Sequence, residues 1–256
     1  HLELYASKCE NVRKTTGQHP GGMIIVPKDK KIFEFSPIQR PANDQGSEVM
    51  TTHFDYHVMD EQLVKLDILG HDDPTTLKIL KEYTEIDPVK VPINDPNTIA
   101  IFNSTKSLGV DAAILGSEVG TFGIPEFGTP FARRMLADVR PTTFADLVRI
   151  SGLSHGIDVW SNNAQNLIRD KVANISEVIS VRDDIMTYLI SKKIEKSLAF
   201  KIMEFVRKGL PLKRADDWEK YKKIMREHSV PEWYIESCGK ITYMFPKGHA
   251  AAYVLM

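Results

Sequence analysis

Cysteine is scarce in this sequence, and no segment has the spacing of a thiol site. The 256 residues include two cysteines, Cys9 and Cys238, which lie near opposite ends of the chain and outside any CxxC pattern. This absence argues against a structural zinc site and against a disulfide framework. We therefore expect two reduced thiols with structural roles.

Long apolar runs and an excess of one charge are also absent. No stretch of about 18 apolar residues occurs, and the amino terminus lacks a basic segment followed by an apolar one. The sequence thus indicates neither a membrane protein nor a secreted one, and we expect a cytoplasmic location. The net charge of −1 excludes a uniformly basic nucleic-acid binder but permits local segregation of charge.

The length permits one large domain or two small ones, since 42% of the 256 residues are hydrophobic. The chain begins with His1 rather than Met, and it stops within an apolar run, residues 250–256, that has no capping or stop signal. We therefore expect a piece of a longer protein.

The apolar pattern predicts strands first and helices afterwards. Residues 23–26, 49–55 and 63–69 have strand-like composition or partial alternation. Helix starts, marked by Pro and capping residues, then follow at Asp73-Pro74, Asp95-Pro96, Pro125 to Pro130, Pro141-Thr142 and Ser180 to Asp184. We predict an α+β fold in which a small mixed sheet precedes a compact helical array.

A loop rich in cations, hydroxyls and glycines precedes the first predicted strand. Its sequence is RKTTGQHPGG, residues 13–22. Such a loop can direct backbone N–H groups and side-chain donors at a phosphate. It matches neither the Walker pattern nor GxGxxG, so composition alone favours an ordinary surface turn.

Asp67 is a carboxylate within an apolar strand pattern. Lys65 precedes it by two residues and is expected on the same face of the strand. A carboxylate buried there needs a partner. Two alternatives have equal weight: Lys65 neutralises Asp67 in a structural pair, or both residues face a site where Asp67 binds a divalent cation.

Histidines and acids at alternate positions form a second group of candidate metal ligands. His53, Asp55 and His57 could line one strand face, which would suit a metallohydrolase. A structural origin is favoured, because this spacing is common at strand ends. The Ser154-His155 pair does not fit the GxSxG order of a nucleophile elbow, so we reject nucleophilic catalysis there and retain phosphate binding or loop capping as alternatives.

One segment of this nearly neutral chain is cationic. Residues 192–226 contain twelve Lys or Arg and five Asp or Glu. The cations interleave with four aromatic residues, Phe200, Phe205, Trp218 and Tyr221. This composition suits contacts with a nucleic-acid backbone or a triphosphate, although a solvated helix face is the usual cause.

Six segments together resemble one protein family. They are VRKTTGQHPGGMIIVP (12–27), THFDYHVMDEQLVKLDILGHDDPT (52–75), GTFGIPEFGTPF (120–131), ISGLSHGIDVW (150–160), VRDDIMTYL (181–189) and MFPKGHAAAYVLM (244–256). In this order they resemble the alpha subunit of C-family bacterial DNA polymerase III, in the PolC type of low-GC Gram-positive bacteria.

The resemblance implies a fold and an activity. Residues 1–72 would be the last part of a nucleotidyltransferase-like palm, and residues 73–256 would be helical fingers. The parent protein would extend a primer with dNTPs on template DNA, using two Mg2+ ions, and would meet a sliding clamp and replisome proteins through regions absent from this chain. A non-catalytic nucleic-acid-binding module and, less favoured, a metallohydrolase remain the alternatives.

The resemblance also implies site residues. Asp67 corresponds to the third metal-binding aspartate of the family, whose other two form an upstream Asp-x-Asp motif missing here. Because one aspartate cannot organise two metal ions, we expect this chain alone to be inactive. The residues expected beside triphosphate are Arg13, Lys14, Gly21, Gly22 and Lys65 in the palm, and Ser154, His155, Arg182, Arg207 and Lys208 in the fingers.

Arg182 is the firmest of the finger residues, because a guanidinium at a helix start has little structural purpose. For Arg207 and Lys208 the alternative explanation is favourable charge at a helix carboxyl end before Gly209.

Overall fold

The computed structural model describes residues 2–9, 17–41, 44, 46–68 and 70–256. The chain divides into two compact units, His1–Thr75 and Thr76–Met256. In the described ranges, none of the helices has the length and apolar character needed to span a membrane.

The strands of the first unit are short and form two antiparallel pairs. Their bounds are β1 Gly22–Ile25, β2 Ile38–Gln39, β3 Thr51–Thr52 and β4 Val64–Asp67. β1 pairs with β4, and β2 pairs with β3. The strands predicted around residues 23–26 and 63–69 are confirmed. The prediction of a small mixed sheet is wrong for the described residues, whose strands form two separate antiparallel pairs. Of the predicted strand 49–55, only Thr51–Thr52 is a strand.

Helices dominate the remainder of the chain, which confirms the predicted α+β class. Their bounds are α1 Leu2–Cys9, α2 Asp73–Thr84, α3 Pro96–Ile101, α4 Ala112–Leu115, α5 Pro130–Val139, α6 Phe144–His155, α7 Gln165–Arg169, α8 Arg182–Ser191, α9 Lys196–Arg207, α10 Ala215–Glu227, α11 Glu232–Lys240 and α12 Lys247–Leu255.

The predicted helix starts are confirmed, and local capping explains them. Asp95 accepts a hydrogen bond from the Thr98 N–H at 2.7 Å, directly before Pro96. Thr143 and Asp146 form a capping box at the start of α6. Each cap satisfies backbone donors that the helix itself leaves unpaired, so these boundaries depend on residues only a few positions apart.

The core of the second unit lies among α5, α6, α8, α9, α10 and α11. Its largest fully buried side chains include Met135, Ile150, Ile185, Ile202 and Tyr234. α8 and α9 pack against each other, and α12 packs against α6. This packing fixes the ends of α6, α8 and α9, which carry the finger residues predicted from the resemblance.

Candidate functional site

Asp67 is the last residue of β4 and lies opposite Gly22 of β1. The Lys65 Nζ is 3.0 Å from the Asp67 Oδ1, so the two side chains share a face as predicted. The Asp67 side chain is 53% exposed, and the Lys65 side chain is 23% exposed. The structural pair of Lys65 and Asp67 is therefore present. The Asp67 carboxylate nevertheless remains accessible to a cation from solvent.

His19 also lies near Asp67. Its Nδ1 accepts a hydrogen bond from the Gly21 N–H at 3.2 Å and lies 3.9 Å from the Asp67 Oδ1. Among the described residues, Lys65 is the cation nearest to this carboxylate, at 3.0 Å.

Tyr56 also lies close to Lys65. The Lys65 Nζ is 5.7 Å from the Tyr56 ring centroid, within cation–π range. The Tyr56 hydroxyl donates to the Leu63 carbonyl oxygen at 3.2 Å, which anchors the ring beside β4. Sequence reasoning missed Tyr56, since nothing in the local pattern distinguishes it from other aromatic residues.

The glycine-rich loop is described only in part. Arg13 and Lys14 lie outside the described residues, so their predicted role remains a proposal. Gly21 and Gly22 are described at the start of β1, where the Gly21 carbonyl oxygen accepts from the Ile68 N–H at 2.6 Å. The structure thus brings Gly21, Gly22, Lys65 and Asp67 together at one end of the β1–β4 pair.

His53, Asp55 and His57 do not line one strand face, the possibility that the sequence itself disfavoured, because β3 ends at Thr52. Asp55 instead caps a 3-10 helix, and its Oδ1 lies 2.7 Å from the His57 Nδ1. The His53 Nδ1 lies 2.6 Å from the Gln39 Oε1. Among the described residues there is no group of three or more His, Cys, Asp or Glu that could hold a metal ion.

Ser154 and His155 form the carboxyl end of α6. The Ser154 hydroxyl donates to the Ser151 carbonyl oxygen at 2.9 Å, and the His155 Nδ1 lies 2.6 Å from the same oxygen. The His155 Nε2 lies 3.2 Å from the Glu126 Oε2. Capping of the helix end and the contact with Glu126 therefore account for both side chains in the absence of a ligand.

Aromatic rings surround His155. Its ring centroid lies 5.5 Å from that of Phe245, 5.2 Å from that of His249 and 5.6 Å from that of Tyr253. His249 and Tyr253 belong to α12, which packing against α6 brings to this position. Their segment carried the family resemblance, but sequence reasoning gave neither residue a role.

Arg182 is the first residue of α8. Its backbone N–H donates to the Phe245 carbonyl oxygen at 3.1 Å, so Arg182 and His155 both contact Phe245. Asp184 caps the helix, accepting from the Ser180 N–H and hydroxyl. The Arg182 guanidinium forms no ion pair within the described ranges and stays partly exposed.

Arg207 is engaged within its own helix. Its Nε and Nη2 donate to the two carboxylate oxygens of Glu204, each at 2.7 Å, and the Lys208 Nζ lies 3.4 Å from the same carboxylate. The hydrogen bond from Arg207 lowers the pKa of Glu204 and correspondingly raises the pKa of Arg207. This geometry gives Arg207 and Lys208 a structural explanation that Arg182 lacks.

Comparison with known proteins gives a family for both parts of the chain. Residues 59–229 match the family described as the bacterial DNA polymerase III alpha subunit finger domain, and residues 1–70 match the bacterial DNA polymerase III alpha NTPase domain. The chain belongs to the bacterial DNA polymerase III alpha subunit family. The resemblance inferred from the six segments is thereby confirmed.

Similar proteins include the DNA polymerase III PolC-type of Thermotoga maritima and of Bacillus subtilis, each 58% identical over 255 residues. That of Caldanaerobacter subterraneus subsp. tengcongensis is 56% identical over 248 residues, which are 97% of this chain. The chain spans between 16% and 18% of the length of such relatives.

The finger-domain match includes the whole cationic segment, residues 192–226. Most of the aromatic residues in this segment pack against other residues of the protein. Phe205 and Trp218 are buried, with ring centroids 6.3 Å apart, and Tyr221 contacts Phe205 at 5.0 Å. Phe200 is 51% exposed. The interleaving of cations and aromatic residues therefore reflects amphipathic helices. For Phe205, Trp218 and Tyr221, packing within the protein replaces the nucleic-acid interpretation.

Half of the cations in this segment are paired with acids. Ion pairs within the described residues involve Arg207, Lys208, Arg214, Lys220, Lys222 and Arg226. Most of these pairs are three or four residues apart on one helix surface, which is the geometry of ordinary helix stabilisation. The excess positive charge is thus confined to fewer positions than the sequence indicates.

Proposed function

We propose that this chain is the last part of the palm and much of the fingers of a replicative DNA-directed DNA polymerase. The observation that carries the proposal is the match of residues 1–70 and 59–229 to two successive parts of one polymerase subunit. The parent enzyme would transfer a nucleotidyl group from a dNTP to the 3'-hydroxyl of a primer paired with template DNA, in the cytoplasm.

Asp67 would hold Mg2+ in the parent enzyme. Its carboxylate is half exposed at a strand end, so a cation can reach an oxygen without displacing the backbone. One carboxylate supplies one ligand only, and the remaining aspartates would come from an Asp-x-Asp motif outside this chain. The bound ions would neutralise charge at the transferring phosphate and lower the pKa of the primer hydroxyl.

Lys65 would exchange its partner during the reaction. In the free chain its ammonium balances Asp67 at 3.0 Å. Once metal ions take up the charge of the carboxylate, the ammonium is available to a triphosphate oxygen, which it would bind through a charge-assisted hydrogen bond. Gly21 and Gly22, with Arg13 and Lys14 before them, would admit the triphosphate close to the backbone.

The finger residues would bind the incoming nucleotide. Arg182 is the strongest candidate, because its guanidinium has no carboxylate partner among the described residues and can offer two donors to one phosphate. His155, which like Arg182 contacts Phe245, would join it together with Ser154, whose hydroxyl lies 3.2 Å from the His155 Nδ1. Arg207 and Lys208 would need to leave Glu204 before binding phosphate. Contacts with a sliding clamp and the replisome would come from other parts of the parent protein.

The test is Asp67→Asn in the full-length parent polymerase. We expect primer extension with Mg2+ to fall at least about a hundredfold, because a metal ligand contributes several kcal/mol to the transition state. Primer-template affinity should change little. Asp60→Asn, at an exposed acid of the same unit, is the matched control and should extend primers normally.

Near-normal turnover of Asp67→Asn would show that Asp67 is not a metal ligand. The 256-residue chain alone is expected to give no extension at any Mg2+ concentration. Extension by the pure chain would show that two of the three aspartates are dispensable and would refute the assignment of a partial palm.

A further inference from the structure

A groove between α8 and α11 is lined by none of the residues proposed for nucleotide binding. Its volume is about 520 Å3, which is the size of a small-ligand cleft. Three aromatic side chains line it, Tyr188 from α8 and Trp233 and Tyr234 from α11. Sequence reasoning gave none of them a function.

The rings of the groove are held in fixed positions. Tyr188 stacks on Tyr234, with centroids 4.2 Å apart and planes inclined by 22°. Trp233 meets Tyr234 edge to face at 5.5 Å. Tyr234 is only 1% exposed, whereas Tyr188 and Trp233 are partly exposed. The buried ring thus supports two aromatic surfaces that solvent reaches, so a planar ligand would find them already ordered.

One lysine lies at the border of the groove. The Lys192 Nζ lies 5.5 Å from the Tyr188 ring centroid. Lys192 forms no ion pair within the described part of the chain, in contrast with the paired cations of the following helices. A negatively charged group beside Tyr188 would therefore meet an ammonium that has no competing carboxylate.

Carboxylates also line the groove, but local donors occupy them. Asp184 accepts hydrogen bonds from the backbone N–H groups of Ser180 and Val181 at 3.0 and 3.2 Å. Glu177 accepts from the Asn174 N–H at 2.9 Å. The Arg149 Nη1 donates to the Val178 carbonyl oxygen at 3.1 Å and lies 3.6 Å from the Asp184 Oδ2, so its positive charge offsets the negative charge of Asp184.

We propose that this groove binds single-stranded DNA, with bases on Tyr188 and Trp233 and the backbone beside Lys192. Partly exposed aromatic rings next to a cation are features that bind unpaired strands, since every base has a face to stack. A duplex keeps those faces covered by neighbouring bases. The inference rests on the proposed function, because a template-dependent polymerase must handle unpaired template.

The test measures binding of a fluorescein-labelled oligo(dT) to the full 256-residue chain by fluorescence anisotropy. Trp233→Ala should weaken binding about tenfold, and Trp233→Phe should restore most of the affinity, because stacking needs a ring rather than an indole. Lys192→Gln should lower the slope of log K against log salt by about 0.7, the value for one phosphate contact on a single strand. A blunt duplex should bind with an affinity that neither residue changes.

Two substitutions outside the groove serve as controls. Phe200→Ala removes an exposed aromatic ring of α9, and Lys220→Gln removes a cation that is paired with Asp217 at 3.0 Å. Both should bind oligo(dT) as the original chain does. Circular dichroism of each variant establishes that the helices are intact.

Absence of oligo(dT) binding, or equal losses for the groove variants and the controls, would refute the groove as a single-strand site. Equal weakening of duplex and oligo(dT) binding by Trp233→Ala would do so as well. Primer extension by the full-length parent separates this failure from that of the proposed function. If the parent extends primers but the groove variants bind oligo(dT) normally, only the groove proposal is refuted. If the groove variants lose oligo(dT) affinity but the parent does not extend primers, only the polymerase assignment is refuted.

Discussion

Gly22 lies opposite Asp67 in the β1–β4 pair, and the space that a side chain at residue 22 would need is filled by Lys65 and His19. A Cβ there would be 2.7 Å from the Lys65 Cε and 2.7 Å from the His19 Nδ1. Both contacts are too short for real atoms, so one of the side chains must move. The position of the Lys65 ammonium beside Asp67 therefore depends on the glycine.

Gly22→Ala in the full-length parent should lower kcat/KM for dNTP about tenfold, equivalent to about 1.4 kcal/mol. Displacement of the flexible Lys65 side chain costs little stability, so the unfolding midpoint should stay nearly constant. Gly46→Ala is the matched control, since its Cβ would meet only Asp44 at an ordinary 3.6 Å. A Gly22→Ala enzyme with unchanged nucleotide kinetics would show that Lys65 tolerates displacement.

Arg182→Ala in the parent should reduce kcat/KM for the incoming nucleotide by about tenfold to a thousandfold, as loss of a charge-assisted phosphate contact predicts. Arg182→Lys should recover part of the loss, because a point charge replaces a two-donor group. Arg169→Gln, at an exposed arginine paired with Asp170, should have no kinetic effect. Unchanged kinetics combined with a lower unfolding midpoint would make Arg182 a structural residue.

The Glu204–Arg207 pair should make stability depend on pH in the acid range. Arg207 lowers the pKa of Glu204 below its usual value of 4.5. The folded state therefore binds the Glu204 proton less readily than the unfolded state does. The stabilisation is complete above about pH 4.5 and disappears as the pH falls through the lowered pKa of the folded state.

The measurement compares unfolding midpoints of the original chain and Glu204→Gln at several pH values. The original chain should be more stable near about pH 7, and the difference should shrink below about pH 4.5. Glu236→Gln, at an exposed glutamate of α11, should show no such convergence. A difference that is constant with pH would mean that the ionised pair does not stabilise the fold.

The two cysteines should differ in reactivity. Cys238 is completely buried, and burial raises the pKa of its thiol, whereas Cys9 is exposed. Because the thiolate is the reactive form, a chromogenic disulfide reagent should titrate one thiol rapidly in the native chain and two in denaturant. Cys9→Ser should abolish the rapid reaction. A rapid reaction that survives this change would show that the core around Cys238 opens readily.

The sequence by itself determined features that depend on near neighbours in the chain. The helix starts at Asp95 and before Phe144 follow from caps that reach three residues. The common face of Lys65 and Asp67 follows from the two-residue repeat of a strand. Family membership was likewise predictable, because the order of six segments is itself a property of the sequence.

Only the tertiary structure decided which distant residues meet. It excluded the common strand face that the spacing of His53 and His57 allowed, because β3 ends at Thr52. It brought Tyr253 of α12 and Glu126 to His155, although these residues are far apart in sequence. Such contacts result from packing of whole helices on a shared core, and no local spacing encodes the distance between helices.

The same reason explains the correction in the cationic segment. Alternating cations and aromatic residues are equally compatible with a nucleic-acid surface and with an amphipathic helix, since both have apolar groups next to charges. Burial of Phe205 of α9 and Trp218 of α10 favoured the amphipathic helix. The stacking of Tyr188 on Tyr234 likewise depends on the packing of α8 and α11 and not on local sequence.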